Sequence, residues 1–154
     1  MPSCHPLLAL TRLHQELLVA SFSRELTQDT LDRTIQASTS YSTGVSTILT
    51  YGHPVRGAAL AELGKLLAVD EITPMEPSTP DRYPPSGPRR LRLAYETLVK
   101  AHSELVIGFG NVNQGGSMGK EVRETVARLE KELGMWTQGI RDALQDQRLA
   151  GLSK

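Results

Sequence analysis

Apolar residues recur at intervals of three and four positions along most of the chain. The most regular run lies near the C-terminal end and continues for about seven helical turns. Its members are Val122, Val126, Leu129, Leu133, Trp136, Ile140 and Leu144. Similar spacing occurs over residues 7–18, 30–49, 55–69 and 89–109. Such spacing places apolar side chains on one face of an α-helix, and the alternation typical of a half-buried strand is almost absent. The sequence therefore predicts an all-α fold of about five helices.

Glycine and proline divide these segments. Residues 51–54 read Tyr-Gly-His-Pro, in which the glycine is suited to end one helix and the proline to begin the next. Residues 70–88 contain most of the chain's nine prolines and predict an exposed insertion loop. Residues 110–119 contain four of the thirteen glycines and predict a flexible connection. Segment 30–49 is rich in Ser and Thr, so we expect packing rather than propensity to keep it helical.

Composition limits the possible partners. With 154 residues the chain has the length of one domain, and we take residues 1–154 as a single unit. Its 17 basic and 17 acidic side chains balance, so no overall field favours nucleic acid or anionic lipid. No apolar run approaches the roughly twenty residues that cross a bilayer, and residues 1–6 lack the pattern of a signal peptide. We therefore expect a cytoplasmic or nuclear protein with no nucleic-acid or membrane partner, which the single cysteine fits.

Two segments match the two halves of a tetratricopeptide repeat. The first half requires Leu-x2-Leu-Gly-x2-large and the second Ala-x3-large-x2-Ala, because small residues let two helices approach closely. The matching residues are Leu60, Leu63, Gly64 and Leu67, then Ala94, Leu98 and Ala101. A weaker upstream copy consists of Leu10, Leu13 and Leu17, then Ala37, Tyr41 and Gly44. We therefore predict a tetratricopeptide-like stack of antiparallel helical hairpins with a proline-rich insertion loop.

Longer stretches around these positions are similar to one family. They read His-Pro-Val-Arg-Gly over residues 53–57, Leu-Gly-Lys-Leu over 63–66 and Leu-Arg-Leu-Ala-Tyr-Glu over 91–96, followed by His102. In this order they resemble the C-terminal helical domain of the SET-and-MYND lysine methyltransferases. The resemblance covers residues 50–104 well and the flanking helices by pattern alone. The insertion is longer than the linker of animal members and indicates a fungal-type branch.

The resemblance implies a domain that works beside a catalytic part. Members of the family combine a split SET domain, a zinc-binding MYND finger and a tetratricopeptide-like domain that packs on the SET domain. In several members this last domain also helps to engage an Hsp90-type chaperone. The present sequence has no Asn-His-Ser or Asn-His-Cys segment, and its one cysteine cannot build a cysteine-rich zinc finger. We therefore expect a protein-interaction module that is not an enzyme by itself, with no catalytic residue, cofactor or metal site.

Basic residues on the predicted third and fourth helices are the candidate protein-binding residues. They are Arg56, Lys65, Arg89, Arg92 and Lys100. In tetratricopeptide domains, basic residues clamp a peptide's terminal carboxylate through charge-assisted hydrogen bonds. The asparagines that usually accompany them are absent here, so a solvated basic face is the alternative interpretation.

Other interpretations of function remain open at this point. The chain is either the C-terminal part of such a methyltransferase or a stand-alone helical adaptor or scaffold. A small α-helical enzyme of unrecognised type would require His14, Glu16 and His102 to converge in one pocket.

Three remaining features are interpreted as structural. Cys4 and His5 lie near a terminus and indicate a chain end rather than a metal site. Residues 110–116 have the glycines of a phosphate loop but lack its Lys-Ser/Thr. Trp136 is expected in the core.

Overall fold

The computed structural model describes residues 5–23, 26–72 and 83–152. Over these residues the fold is all-α, as the periodicity predicts, and contains no strand. The five helices are α1 (Pro6–Phe22), α2 (Gln28–Ile48), α3 (Pro54–Leu67), α4 (Pro88–Phe109) and α5 (Gly116–Leu152). A short 3-10 turn at Asn111–Asn113 precedes α5. None of the helices in these ranges combines the length and the apolarity that a membrane span requires.

Side-chain caps define where the first three helices begin. The Nδ1 atoms of His5 and His53 accept hydrogen bonds from the N–H groups of Leu7 and Val55, at 3.3 Å and 3.2 Å. Thr27 caps α2 in the usual way, through a hydrogen bond from the Thr30 N–H at 3.2 Å. The prediction that Pro54 begins a helix is confirmed.

The centre of the molecule is the contact between α3 and α4. A Cβ on Gly64 would lie 2.5 Å from the Cγ of Leu98, and a Cβ on Gly57 would lie 3.0 Å from a methyl group of Leu105. Because residue numbers rise on one helix as they fall on the other, α3 and α4 are antiparallel. All seven residues of the predicted repeat pattern are buried, namely Leu60, Leu63, Gly64, Leu67, Ala94, Leu98 and Ala101. The α3–α4 pair packs further on α2 and α5.

The glycine-rich loop is shorter than predicted. We expected it over residues 110–119, but α5 already begins at Gly116. Gly110, Gly115 and Gly116 have φ values of +87°, +83° and +68°, which residues with a Cβ rarely adopt, so these glycines make the turn. Gly119 lies inside α5, where its N–H donates to the carbonyl of Gly115 at 3.0 Å.

Three predicted core positions, Leu10, Leu17 and Trp136, are exposed. α1 contacts α2 through Ala9 and Leu13, whereas Leu10 and Leu17 of the predicted upstream repeat face solvent. Apolar residues occupy more than one face of α1, so their spacing alone did not identify the face that packs on α2. Trp136 is 51% exposed rather than in the core, because it lies on α5 beyond the part that packs on α3 and α4.

Candidate functional site

The five predicted basic residues do not form one cluster. Arg56 and Lys65 are nine positions apart on α3, which places them on opposite sides of the helix. Arg89, Arg92 and Lys100 lie on α4, and all three are exposed.

Arg56 joins three elements of the fold. Its Nε donates to Glu104 Oε1 at 3.0 Å, and the Glu104 side chain is fully buried. Its Nη1 donates to the carbonyls of Leu49 and Ser46 at the end of α2, at 3.3 Å and 3.5 Å. Glu104 also accepts a hydrogen bond from the Gly52 N–H at 3.4 Å. A carboxylate from a partner would therefore have to compete with Glu104 for this guanidinium.

Lys65 connects α3 to α5. Its Nζ lies 2.7 Å from a carboxylate oxygen of Glu121 and 3.1 Å from one of Glu62. Burial alone would lower the pKa of Lys65, but the hydrogen bonds to Glu121 and Glu62 outweigh it and raise the pKa. The ammonium group is thus already paired within the chain.

The basic residues of α4 have the arrangement of a solvated face. Arg92 is 77% exposed and pairs with Glu96, one turn further along α4, at 3.1 Å. An exposed pair of this kind contributes about 0.3–0.5 kcal/mol to stability. Of the five candidates, Arg89, Arg92 and Lys100 are the ones that a partner could reach without breaking a contact between helices.

Arg90 is the buried arginine of this region and was not among the five candidates. It is 2% exposed, and its Nε and Nη2 donate to the carbonyls of Leu67 and Leu66 at the end of α3, at 3.0 Å and 3.3 Å. Its Nη1 lies 3.9 Å from Asp32 and 4.0 Å from Glu71. Burial lowers the pKa of Arg90, and Glu71 and Asp32 partly offset this effect. Arg90 therefore ties the start of α4 to α2 and to the end of α3.

Both ends of the proline-rich insertion attach to α2. On one side, the Ile72 N–H donates to Gln28 Oε1 at 3.0 Å. On the other, Gln36 Nε2 donates to the Tyr83 carbonyl at 3.0 Å, and the Tyr83 hydroxyl shares a hydrogen bond with that of Thr39. The polar side chains of α2 thus hold the base of the predicted loop, whose residues 73–82 lie outside the described part of the chain.

The three residues that the enzyme alternative requires in one pocket, His14, Glu16 and His102, share no described cavity. Glu16 lines a cavity of about 280 Å³ between α1 and α2, where its Oε1 lies 2.8 Å from Arg33 Nη2. His102 lines a cavity of about 200 Å³ between α4 and α5. His14 is exposed on α1 and lines neither cavity. The convergence that the enzyme alternative requires is therefore not found.

No metal-binding group of three or more His, Cys, Asp or Glu side chains occurs in the described part of the chain. His5 serves as the cap of α1, and Cys4 lies outside the described residues.

The environment of His102 lowers the pKa of this side chain, and the effect can be tested by experiment. Its Nε2 is buried and has no hydrogen-bond partner. Burial lowers the pKa of His102 from its ordinary value of 6.5, and the positive charge of Arg123 lowers it further. The folded chain therefore binds this proton less readily than the unfolded chain does.

The pKa of His102 predicts a loss of stability on acidification. Because the folded pKa is below 6.5, the unfolded state binds more protons as the pH falls through that value. The free energy of unfolding should therefore decrease below about pH 6.5 and level off below the folded pKa. Urea unfolding at several pH values between about 7.5 and about 5, a range that brackets the ordinary histidine pKa, would measure this decrease. The slope should be smaller in His102→Asn than in the wild-type chain; an unchanged slope in His102→Asn would contradict this assignment.

The outer side of α1 carries leucines that no other described element covers. Leu7 is 66% exposed, Leu10 45%, and Leu17 and Leu18 43% each. These four residues, here called the α1 leucine face, lie on one side of the helix, next to the side that carries Ala9 and Leu13, since Leu10 is three positions before Leu13 and Leu17 four positions after it. Single exposed apolar residues are ordinary on protein surfaces, but a contiguous set on one face is typical of an interaction site.

A second group of exposed apolar residues lies where α2, α3 and α4 end or begin. Its members are Ile48, Tyr51, Val55, Ile107 and Phe109, with Val112 on the 3-10 turn. Gly52 and Ile107 are in direct contact, which brings the α2–α3 turn against the end of α4. Residues 105–119 contain no Asp, Glu, Lys or Arg, and the guanidinium of Arg56 lies over the Tyr51 ring, 5.6 Å from its centroid.

No protein-family model, curated protein or solved structure matches this chain. The candidate surfaces therefore rest on the geometry of the chain itself.

Proposed function

We propose that this chain is a non-catalytic protein-interaction module that binds its partner through the α1 leucine face. The observation that carries the proposal is the exposure of Leu7, Leu10, Leu17 and Leu18 on one side of a helix whose adjacent side is packed. Burying such side chains in an interface removes apolar area from water, at about 25 cal/mol per Å² before the costs of association. A helix with two apolar sides is suited to join two packing partners.

The proposed partner is the catalytic part of a SET-and-MYND lysine methyltransferase, with an Hsp90-type chaperone as a second partner. Support for this choice comes from the three matching stretches around residues 53–57, 63–66 and 91–96 and from their order. On this proposal the tetratricopeptide-like α3–α4 pair forms the rigid centre of the domain, and α1 presents the contact surface. A stand-alone adaptor that uses the same surface for another protein is the alternative.

Replacing leucines of this face should weaken binding without unfolding the domain. We expect Leu10→Ser/Leu17→Ser to weaken binding to a fungal-type SET–MYND catalytic part by at least about tenfold, since buried apolar contacts at an interface each contribute on the order of 1 kcal/mol. The free energy of unfolding should change little, because both side chains are already exposed in the isolated chain. Titration calorimetry and urea unfolding measure the two quantities.

Val112→Ser is the matched control, since Val112 is 98% exposed but lies far along the chain from α1. Its binding should equal that of the wild-type chain. If the wild-type chain does not bind the catalytic part, the choice of partner is wrong. If it binds and Leu10→Ser/Leu17→Ser binds equally well, the α1 leucine face is the wrong surface.

A further inference from the structure

The exposed apolar residues where α2, α3 and α4 end or begin form a second surface, distinct from the α1 leucine face. A Cβ on Gly108 would lie 2.6 Å from the carbonyl oxygen of Gly52 and 3.0 Å from the Cγ of Pro54. The α2–α3 turn is therefore packed directly against the end of α4, which brings the exposed side chains of both together. The six residues of this surface, here called the apolar end, are Ile48, Tyr51, Val55, Ile107, Phe109 and Val112.

The two chain segments that form the apolar end contain no charged side chain. Residues 34–55 and 105–119 have no Asp, Glu, Lys or Arg, although 22% of the chain's residues are of these types. The charged residues that border the two segments on this side, Arg56 and Glu104, pair with each other at 2.9 Å and are only 14% and 0% exposed. Burying these segments in an interface would therefore desolvate no unpaired carboxylate, ammonium or guanidinium group.

This charge pattern favours a second copy of the chain as the partner. A two-fold interface brings a surface against itself, so an uncompensated charge would meet the same charge on the other copy. The apolar end avoids that repulsion. The whole chain has 17 basic and 17 acidic side chains, so no net charge keeps two copies apart either. A strongly charged partner would gain no electrostatic steering from this surface.

The size of the apolar end also suits a dimer. The exposed fractions of its residues run from 45% for Val55 to 98% for Val112. Because fully exposed residues of these sizes present roughly 150–250 Å² each, the six together leave on the order of 700 Å² open per copy. A standard interface buries about 800 Å² on each partner. Asn111 and Asn113 are exposed beside Val112 and can supply part of a polar rim.

We propose that two copies of this chain associate through their apolar ends as a two-fold symmetric dimer. Tyr51 and Phe109 are the aromatic anchors of the contact, since aromatic residues are enriched in the cores of interfaces. Val112, the most exposed residue of the surface, is covered by the other copy. The α1 leucine face takes no part, so the dimer leaves the proposed binding surface open.

Sedimentation velocity of the intact chain tests the proposal at concentrations from about 1 to about 100 µM, since interfaces of standard size have affinities of micromolar or tighter. We expect the sedimentation coefficient to rise with concentration from that of a monomer to that of a dimer and no further. Val112→Asp should raise the dissociation constant of the dimer by about tenfold or more, because each dimer would have to bury two unpaired carboxylates. Circular dichroism should show an unchanged fold, since Val112 is almost fully exposed.

Val69→Asp is the matched control. Val69 is 40% exposed and lies just after the end of α3, whereas the apolar end lies at the beginning of that helix. The same change of charge at this position should leave the dissociation constant as it is in the wild-type chain. Leu10→Ser/Leu17→Ser should also leave it unchanged, because these residues belong to the other surface.

Amide exchange of the wild-type chain provides a readout that needs no variant. Exchange over residues 107–113 should be slower at the upper end of the concentration range than at the lower end, with no change over residues 6–22. A chain that stays monomeric throughout the range, or assemblies larger than a dimer, would overturn the proposal. So would a dimer that Leu10→Ser/Leu17→Ser disrupts and Val112→Asp does not. Because no catalytic part is present in these measurements, this proposal and the proposed function can fail separately.

Discussion

Replacing Arg56 with methionine should lower the free energy of unfolding by about 3–5 kcal/mol. The substitution keeps most of the aliphatic stem but removes the partner of Glu104, a side chain with 0% exposure. A buried carboxylate that loses its partner cannot recover the hydration it had in the unfolded chain. Against a total stability of about 5–15 kcal/mol for a domain, this loss should be visible as a large shift of the urea midpoint.

The double variant Arg56→Met/Glu104→Gln separates the charge effect from lost packing. Glutamine keeps an oxygen that can accept from the Gly52 N–H, at present 3.4 Å from Glu104, but carries no charge. We therefore expect the double variant to be more stable than Arg56→Met alone. If the double variant is less stable than the single one, the unpaired buried carboxylate is not the cause of the loss.

Replacing Gly64 with valine should also destabilise the chain strongly, by about 1–3 kcal/mol or more. Even a Cβ at this position would lie 2.5 Å from the Leu98 Cγ, so α3 and α4 would have to separate. This outcome opposes helix propensity, since glycine is the poorer helix former of the two. Thermal or urea unfolding followed by circular dichroism measures the effect.

Shortening Leu98 provides the matched control for Gly64→Val. Leu98→Ala alone should cost about 2–5 kcal/mol, because it leaves a cavity in the core. Combined with Gly64→Val it should cost less than the sum of the two single changes, since the valine fills part of that space. Strict additivity would show that the two positions are not in contact.

The α3–α4 pair could be predicted from the sequence because its pattern is local. Leu60, Leu63, Gly64 and Leu67 specify a helix face with a small residue, and Ala94, Leu98 and Ala101 specify the complementary face. Both faces are buried in the structure, and Gly64 meets Leu98 as close packing requires. The five-helix, all-α architecture was predicted for the same reason, since each helix carries its own periodicity.

The packing side of α1 could not be predicted, because leucine occurs on several of its sides. Ala9 and Leu13 are buried, whereas the equally apolar Leu10 and Leu17 are 45% and 43% exposed. Periodicity identifies a helix but does not choose between two apolar faces. The leucines that make the prediction ambiguous belong to the α1 leucine face, which we propose as the interaction surface.

The roles of the basic residues could not be predicted either, because their partners are remote in sequence. Arg56 pairs with Glu104 across 48 positions, and Lys65 pairs with Glu121 across 56. For Arg90, unlike its neighbour Arg89, the sequence contained a partial signal of burial. Arg90 lies one turn before Ala94, on the face of α4 that is buried. Its burial could have been read from that spacing, but its bonds to the end of α3 could not.

The central claim is that the α1 leucine face is a protein-binding surface, and hydrogen–deuterium exchange tests it most directly. The backbone amides of the intact chain would be followed with and without a fungal-type SET–MYND catalytic part. We expect amide exchange over residues 6–22 to slow in the complex, while exchange around Val112 on the apolar end stays as it is in the free chain. Slower exchange at the apolar end with α1 unchanged would contradict the choice of surface, and unchanged exchange throughout would contradict the proposed partner.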